Sequence, residues 1–478
     1  NQKIRNGKSL SMNKVEKIFF NNQWQLSNSK KKYIRNSFSY KSKYIYPDCN
    51  SQDLKNIILS AKQGLKINSG LSYKKKSKFL YSIYNNILVN IKILARLEAS
   101  ETGKLLKQAE QEIRHAANIW LHASKVTKNL NYRKKLDKFH DGLVVYEPVG
   151  IVSLIVPWNF PFIVASERLP YILAAGNSVI IKPSEFASQS IYYLIDIIKK
   201  TQYPSGIINL ITGIGGNIGK KIVDNKQINM ISFTGSTKVG KKIMSSSGKS
   251  IKRLSLELGG KNSLIALGDA HIKNTVDIII KGFTLNAGQT CVATSKVLVH
   301  QKIEKTLVDS LIKELSKIKN FNKIYGPITT QQQKKKIKEI LLQNKKFKKN
   351  IIFGESIFIK DFISPIVFKD LPLNNTINTN EIFGPILSIN SFKNENEMIE
   401  IANSTDYGLS LVICGKNKKK TLSIAHRIKS GRVWINQAID KNFAELPIGG
   451  FKESGLNREC GKDGIKTYSE IKSIIIKK

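Results

Sequence analysis

The sequence predicts an α/β protein in which a doubly wound parallel sheet is followed by a second α/β domain. Short apolar runs alternate with helix-like segments between residues 149 and 233, turns rich in glycine and proline separate them, and the alternation restarts after Gly259-Gly-Lys-Asn. The predicted strands are 149–156, 178–182, 207–211, 230–233, 263–267 and 296–300, and the predicted helices among them are 162–176, 188–199 and 272–287.

The segments outside this alternation have different sequence patterns. Residues 19–24 are typical of a short strand or hairpin, and apolar residues recur at helical spacing from 51 to about 129, with Ser51 fitting a helix N-cap. Residues 132–145 are typical of an exposed, strand-rich excursion, and residues 302–348 indicate a long lysine-rich helical region.

Length and composition favour a folded protein of two or three domains, since the chain has 478 residues of which 41% are hydrophobic. No run approaches the roughly eighteen consecutive apolar residues of a membrane span. Residues 1–10 lack the apolar core of a secretory signal. The four cysteines are Cys49, Cys291, Cys414 and Cys460. They form no CxxC or Cys/His cluster, which disfavours a disulfide framework or a metal site and favours a reducing, cytoplasmic compartment.

The net charge of +43 raises the hypothesis of a polyanion partner. The excess is almost all lysine and is spread along the whole chain beside many asparagines and isoleucines, which indicates a composition bias rather than a built patch. We therefore expect weak, salt-sensitive adhesion to polyanions and no specific nucleic-acid partner.

Three polar residues stand in stretches suited to catalysis. Cys291 lies between a small-residue turn and a strand-like run, where backbone N–H groups can favour a thiolate nucleophile. Asn159 sits between two prolines just past an apolar run, a rigid place from which an amide can donate to an oxyanion. Glu257 has apolar neighbours, so burial would raise its pKa and suit it as a general base. Taken singly, each is also compatible with a purely structural role.

Two further stretches suit a dinucleotide. The segment Phe233-Thr-Gly-Ser-Thr-Lys-Val-Gly240 follows a strand and opens a helix, so its N–H groups and the helix dipole can receive a pyrophosphate. Lys182 and Glu185 end another strand, where they can bind ribose hydroxyls, and a glutamate there disfavours a 2′-phosphate. An ordinary strand-to-helix turn and a solvated ion pair are the alternatives.

The motifs that carry a family resemblance are Pro157-Trp-Asn-Phe-Pro, Lys182-Pro-Ser-Glu, Phe233-Thr-Gly-Ser, Leu256-Glu-Leu-Gly-Gly-Lys, Gly288-Gln-Thr-Cys, Glu381-Ile-Phe-Gly-Pro and Pro447-Ile-Gly-Gly-Phe-Lys-Glu-Ser-Gly. In this order they resemble the aldehyde dehydrogenase superfamily, and the similarity runs from about residue 19 to residue 472. The resemblance implies a Rossmann-like NAD-binding domain (1–129 and 148–258), a catalytic α/β domain (259–453) and a small β oligomerisation arm (130–147 and 466–478), assembled as a homodimer or homotetramer.

The resemblance also implies roles for single residues. Cys291 would be the nucleophile, Glu257 the base that activates water, and Asn159 with the Cys291 N–H the oxyanion hole. The implied cofactor contacts are Trp158, Lys182, Ser184, Glu185, Gly235, Ser236, Gly240, Leu258, Glu381 and Phe383. The implied reaction is NAD-dependent oxidation of an aldehyde to a carboxylic acid, through a thiohemiacetal and a thioester that water hydrolyses.

The sequence does not identify the aldehyde substrate. The expected channel residues are Phe160, Glu167, Leu285 and Glu445, which do not form the aromatic cage that some betaine-aldehyde enzymes use for a quaternary ammonium. Glu167 or Glu445 would instead attract a cationic aminoaldehyde. A betaine-aldehyde or semialdehyde dehydrogenase remains an alternative, as does a non-catalytic polyanion binder with the same fold.

Overall fold

The structure, a computed structural model, describes residues 16–38, 43–355, 358–441 and 443–478, so the opening segment 1–10 considered above lies outside the described residues. The helices are Ser51–Gly70, Tyr73–Val89, Ile91–Thr102, Leu106–Val126, Pro161–Ser166, Leu169–Ala174, Gln189–Lys200, Lys220–Asp224, Thr237–Ser247, Ile272–Thr284, Glu304–Ser316, Gln331–Gln343, Thr376–Thr379, Glu395–Asn403, Lys418–Arg427 and Gly464–Thr467.

The first large sheet has eight strands. Their spatial order is Gln23–Gln25, Ile18–Phe20, Ile208–Leu210, Ser178–Lys182, Ile151–Ile155, Met230–Thr234, Arg253–Glu257 and Gly455–Leu456. The five central strands, from Ile208–Leu210 to Arg253–Glu257, run parallel, and the strands at both edges pair antiparallel. Parallel strands place their carboxyl ends at one edge, which is where such sheets bind ligands.

The second large sheet has seven strands. Their spatial order is Ile351–Phe353, Ile366–Lys369, Ile386–Phe392, Thr294–His300, Asn262–Ala266, Ser410–Cys414 and Arg432–Ile435. All neighbouring pairs are parallel except the first. The restart of strand and helix alternation after residue 259 thus corresponds to a separate sheet.

A three-stranded antiparallel sheet projects from these two. It consists of Ser469–Lys477, His140–Pro148 and Tyr132–Lys135. Two-stranded sheets pair Lys32–Asn36 with Lys43–Pro47, Phe358–Ile359 with Phe362–Ile363, and Tyr407–Gly408 with Phe451–Lys452.

Both faces of each large sheet are buried, as the near-continuous apolar strands require. In the first sheet Val179 and Ile181 belong to one apolar cluster and Ile180 to another. In the second sheet Val297 and Leu298 likewise fall in different clusters. This alternation within one strand shows that helices cover both sides.

Several predicted elements differ from the observed ones in their boundaries. The N-cap of the first helix is Asn50, one residue before Ser51, and it forms a capping box with Asp53. The predicted helix 162–176 is two short helices, because the chain departs from helical geometry at Arg168 before the second helix begins at Leu169, with Pro170 in its first turn. The region 302–348 likewise contains two helices, Glu304–Ser316 and Gln331–Gln343, with Pro327 between them.

Candidate active site

The carboxyl ends of the first sheet's parallel strands open onto a cleft of about 310 Å³. Other lining residues come from the helix Leu106–Val126 and from segments in and around the second sheet. The predicted site residues that line the cleft are Cys291, Glu257, Asn159, Trp158, Gly235, Ser236, Leu258, Glu381 and Phe383. Lys182, Ser184, Glu185 and Gly240 are not part of its wall. The cleft therefore brings the three candidate catalytic residues together from distant parts of the sequence.

Cys291 follows an unusual turn that aims it into the cleft. Asn286 and Ala287 both adopt left-handed backbone, with φ of 50° and 57°, and Gly288 follows with φ of 70°. A Cβ on Gly288 would lie 2.2 Å from the carbonyl oxygen of Gly384, so only glycine fits there. Three successive left-handed residues break the helix Ile272–Thr284 and turn the chain toward the strand Thr294–His300.

The backbone of Cys291 is held from the second sheet. The side-chain amide of Asn262 donates to the Cys291 carbonyl oxygen at 2.7 Å and to the Ala293 carbonyl oxygen at 3.0 Å. Burial, together with the negative charge of Glu257, raises the pKa of the Cys291 thiol to about 12. The resting thiol is therefore protonated, and attack on a carbonyl requires that it lose its proton.

Glu257 ends the strand Arg253–Glu257 and is 5% exposed. Among the described residues, none forms a hydrogen bond with its Oε1. Burial raises the pKa of Glu257 to about 8, while the cation of Arg168 opposes the shift. A buried carboxyl with a free oxygen and a pKa near neutrality has the properties of a general base.

Asn159 lies in the turn that follows the strand Ile151–Ile155, and it is 7% exposed. Its side-chain Nδ2 donates to the carbonyl oxygen of Gln289 at 3.0 Å, two residues before Cys291. Since a side-chain amide carries two N–H donors, this bond leaves one for another acceptor. The contact fixes the amide beside the Cys291 turn.

Lys182 and Glu185 meet at the edge of the same sheet. Lys182 Nζ lies 3.6 Å from Glu185 Oε2 and donates to the carbonyl oxygen of Pro183 at 3.1 Å. Burial lowers the pKa of Lys182, and the charge of Glu185 opposes that shift. Gly215 donates its N–H to Glu185 Oε1 at 3.4 Å.

The turn after the strand Met230–Thr234 is closely packed around glycines. Ser236 caps the helix Thr237–Ser247, with its Oγ accepting from the Val239 N–H at 3.4 Å. A Cβ on Gly240 would lie 2.5 Å from the Leu258 side chain, so glycine permits the helix to approach that segment. The helix N-terminus thus points its N–H groups at the edge of the cleft.

Glu381 and Phe383 close the other end of the cleft. The Gly260 N–H donates to Glu381 Oε1 at 3.1 Å, and burial raises the pKa of Glu381. Phe383 has a φ of 61° and meets the Trp158 ring edge to face, with centroids 5.7 Å apart. This strained backbone at a non-glycine residue places an aromatic ring against the cleft wall.

Comparison with known proteins decides the family. Residues 24–474 match the family model described as the aldehyde dehydrogenase family. The chain belongs to the aldehyde dehydrogenase family. The predicted resemblance is therefore confirmed over nearly the whole length of the chain.

Individual members of the aldehyde dehydrogenase family resemble the chain closely. It is 35% identical over 427 residues to aldehyde dehydrogenase [NAD(P)+] 2 of Saccharomyces cerevisiae, covering 85% of this chain and 84% of that protein. The crystal structure of an NAD-dependent aldehyde dehydrogenase from Sinorhizobium meliloti superposes with a TM-score of 0.94 at 31% identity, covering 99% and 96% of the two chains. The NAD+ complex of an aldehyde dehydrogenase from Bacillus cereus gives 0.93 at 29% identity, covering 98% and 97%. These likenesses confirm the predicted fold class.

Sequence reasoning missed several charged residues around the cleft of this aldehyde dehydrogenase. Arg168 lines it, and its side chain, 2% exposed, lies 3.1 Å from Glu167 and 3.8 Å from Glu459. A Glu-Arg pair inside an otherwise apolar helical stretch was the available signal. Lys336 and Arg432 also line the cleft, but the lysine-rich composition concealed the first of them.

Within the described ranges, no group of three or more His, Cys, Asp or Glu side chains is placed to hold a metal ion. No helix in the same ranges is long and apolar enough to cross a membrane.

Proposed function

We propose that this aldehyde dehydrogenase oxidises an aldehyde to a carboxylic acid with NAD, through a thioester on Cys291 that Glu257 helps to hydrolyse. The observation that carries the proposal is the convergence of a thiol, a buried carboxyl and a side-chain amide on one cleft, from Cys291, Glu257 and Asn159. A nucleophile, a base and an oxyanion donor are the parts that acyl transfer requires.

The edge of the first sheet fits a dinucleotide. A Cβ on Gly215 would lie 3.8 Å from Glu185 Oε1, and one on Gly219 would lie 3.7 Å from the Lys182 side chain, so glycine at both positions keeps other side chains off Lys182 and Glu185. Those two side chains supply a donor and an acceptor for ribose hydroxyls, and Ser236 begins the helix suited to a pyrophosphate. Glu381 and Phe383 would face the nicotinamide end, and the other cofactor residues to which the proposal assigns a contact or a shaping role are Trp158, Ser184, Gly235, Gly240 and Leu258. Bound NAD would supply the hydride acceptor that lets the adduct on Cys291 become a thioester.

The chain's own residues would perform the remaining steps. The Cys291 thiol gives its proton to water in the cleft, and the thiolate adds to the aldehyde carbon. The charge that develops on oxygen is stabilised by the second N–H of the Asn159 amide and by the Cys291 N–H. Once the thioester has formed, ionised Glu257 takes a proton from water, which attacks the acyl carbon and releases the carboxylate. A base beside the thiol favours hydrolysis over transfer to another thiol.

NADH formation with purified protein tests the proposal. Absorbance is followed with a panel of aliphatic, amino-, betaine and semialdehyde substrates against NAD and NADP. We expect NAD-dependent turnover with at least one aldehyde. Folded protein that binds NAD but oxidises none of them would contradict the proposal and favour the polyanion-binding alternative.

The choice of NAD over NADP is tested at Glu185. Replacing Glu185 by alanine removes the charge that would repel a 2′-phosphate, so we expect the ratio of kcat/KM for NAD to that for NADP to fall about tenfold or more. The values of kcat and KM measured with each cofactor give this ratio. Glu339→Ala, which removes an exposed carboxylate paired with Lys335 at 3.9 Å, is the control and should leave the ratio unchanged. An unchanged ratio in the Glu185 variant would show that another group selects the cofactor.

A cationic aminoaldehyde is the second candidate for the substrate. Glu167, Phe160 and Leu285 line the cleft, whereas Glu445 is exposed and is not part of the wall. Arg168 lies 3.1 Å from Glu167 and offsets part of its charge. If Glu167 selects a cation, Glu167→Gln should raise KM for aminoaldehydes about tenfold and leave KM for neutral aliphatic aldehydes unchanged. A preference of the unmodified enzyme for neutral aldehydes at every pH would exclude this candidate.

The three-stranded arm supports assembly into a homo-oligomer. Its strand Ser469–Lys477 exposes Ile471 and Ile475 to 61% and 72%, and the neighbouring turn exposes Phe139 to 61%. A row of exposed isoleucines on a projecting sheet favours burial against a second copy of the chain. Light scattering should give a mass of at least twice 53.8 kDa, and a monomeric mass would contradict this.

A further inference from the structure

A buried ion cluster lies directly behind the turn that carries Asn159. It consists of Lys104, Glu98 and Glu112. The side chains of Lys104 and Glu98 are fully buried, and that of Glu112 is 10% exposed. Neither Lys104 nor Glu98 lines the cleft, so neither reaches a substrate directly.

The Lys104 ammonium has an acceptor for each of its three N–H donors. Its Nζ donates to Glu112 Oε2 at 2.5 Å, to the Asn159 carbonyl oxygen at 2.9 Å and to Glu98 Oε1 at 3.4 Å. It also lies 4.2 Å from the centre of the Phe160 ring. A fully engaged ammonium has one orientation, so the Asn159 carbonyl is fixed relative to the two carboxylates.

The same cluster holds the far end of the turn. Glu98 Oε2 accepts from the Phe162 N–H at 3.2 Å, at the start of the helix Pro161–Ser166. Lys104 therefore binds the turn at the Asn159 carbonyl, and Glu98 binds it at the Phe162 N–H. These two hydrogen bonds hold the main chain of the turn on the side away from the cleft. The Asn159 side-chain amide is therefore not needed to hold the turn and can face the cleft.

We propose that Lys104, supported by Glu98, is a positioning residue that sets the Asn159 amide where charge develops on the aldehyde oxygen. The proposal rests on the oxyanion role of Asn159 given above. Without the ammonium, the Asn159 carbonyl keeps only the longer bond from Asn286 Nδ2, at 3.5 Å, and the turn relaxes by a fraction of an ångström or more. Misplacement by about 1 Å costs up to about a hundredfold in rate.

A double-mutant comparison tests this coupling. The rate of the first NADH burst is measured by stopped flow for the wild type, K104M, N159A and K104M/N159A. We expect N159A to slow the burst by about 10²- to 10³-fold. K104M should slow it by about ten- to a hundredfold, with the KM for NAD unchanged. In the N159A background K104M should have almost no further effect, because the donor that it positions is already absent.

Two outcomes separate the proposal from the role on which it rests. If K104M slows N159A by the same factor as it slows the wild type, Lys104 does not act through Asn159 and the proposal is wrong. If N159A has a wild-type burst, the oxyanion role itself fails. K76M removes another buried lysine, 3% exposed and absent from the cleft wall, and should keep the wild-type burst. If K104M is too unstable to purify, K104M/E98Q replaces it in the comparison. The second substitution removes the buried charge of Glu98, which loses its ion-pair partner in K104M.

Discussion

Cys291→Ala is expected to abolish aldehyde oxidation, lowering kcat by about 10⁴-fold or more, because no other nucleophile on the cleft can form the thioester. Within the described part of the chain, Cys291 is the cysteine that lines the cleft. NADH formation under saturating aldehyde measures the loss. Binding of NAD should persist, since the thiol is not among the groups proposed to hold the cofactor.

Cys414→Ala is the matched control. Burial raises the pKa of Cys414 to about 12, as it does for Cys291, yet Cys414 ends the inner strand Ser410–Cys414 and is absent from the cleft wall. We expect the Cys414 variant to keep its turnover, which would show that position rather than burial distinguishes the two thiols. Turnover above about a tenth of the wild-type rate in Cys291→Ala would contradict the thioester mechanism.

The parallel sheets were predictable because buried parallel strands leave a strong local signal. The strand Ser178–Lys182 begins and ends where the sequence predicted, and Met230–Thr234 differs by one residue. Each is a short, continuous apolar run bounded by turn residues. Site residues that end such strands, as Lys182 does, inherit that predictability because the carboxyl ends share one edge, whereas the strand Arg253–Glu257 was not predicted.

The polar network beneath the cleft was not predictable in the same way. Arg168 meets Glu459, which lies 291 positions later, and Glu459 in turn accepts from Tyr468 Oη at 2.7 Å. No local pattern records a contact between residues so distant in sequence. The break at Arg168, by contrast, has a local cause, because Pro170 has no N–H with which to continue the preceding helix.

The high lysine content explains why Lys104 and Lys336 were not predicted as functional residues. The chain has 78 lysines and arginines, so Lys104 and Lys336 were indistinguishable in sequence from the many lysines at the surface. The structure separates Lys104 by burial, because its side chain is fully buried whereas that of Lys220 is 74% exposed. It separates Lys336 by position alone, since this exposed lysine lines the cleft. A biased composition therefore conceals functional members of the residue type in which it is rich.

Glu257→Gln is expected to separate the two halves of the reaction. The amide cannot take a proton from water, so the thioester should accumulate after one turnover. We expect a burst of about one NADH per active site, followed by a steady rate about 10²- to 10⁴-fold below that of the wild type. Mass spectrometry of the quenched protein should find the acyl group on Cys291.

Glu101→Gln controls for the loss of a buried carboxyl. Burial raises the pKa of Glu101 to about 7, but this side chain accepts from the Ser188 and Gln189 N–H groups and is absent from the cleft wall. Its glutamine variant should turn over normally. A Glu257→Gln enzyme with an undiminished steady rate would show that another group activates water.

The pH profile provides a second test of the same residue. The pKa of Glu257 is raised to about 8, so at pH 7 only about a tenth of the enzyme carries the ionised base. Deacylation should therefore rise with pH through about 8 and level off above it, and Glu257→Gln should lack this rise. A flat wild-type profile from about pH 6 to 9 would contradict the assignment.

A carboxylate with an ordinary pKa would be fully ionised at pH 7 but a poor base toward water, whereas burial makes Glu257 a stronger base and lowers the fraction of it that is ionised. The Arg168 cation limits this loss of ionised Glu257, because it opposes the rise in the pKa of Glu257 that burial produces.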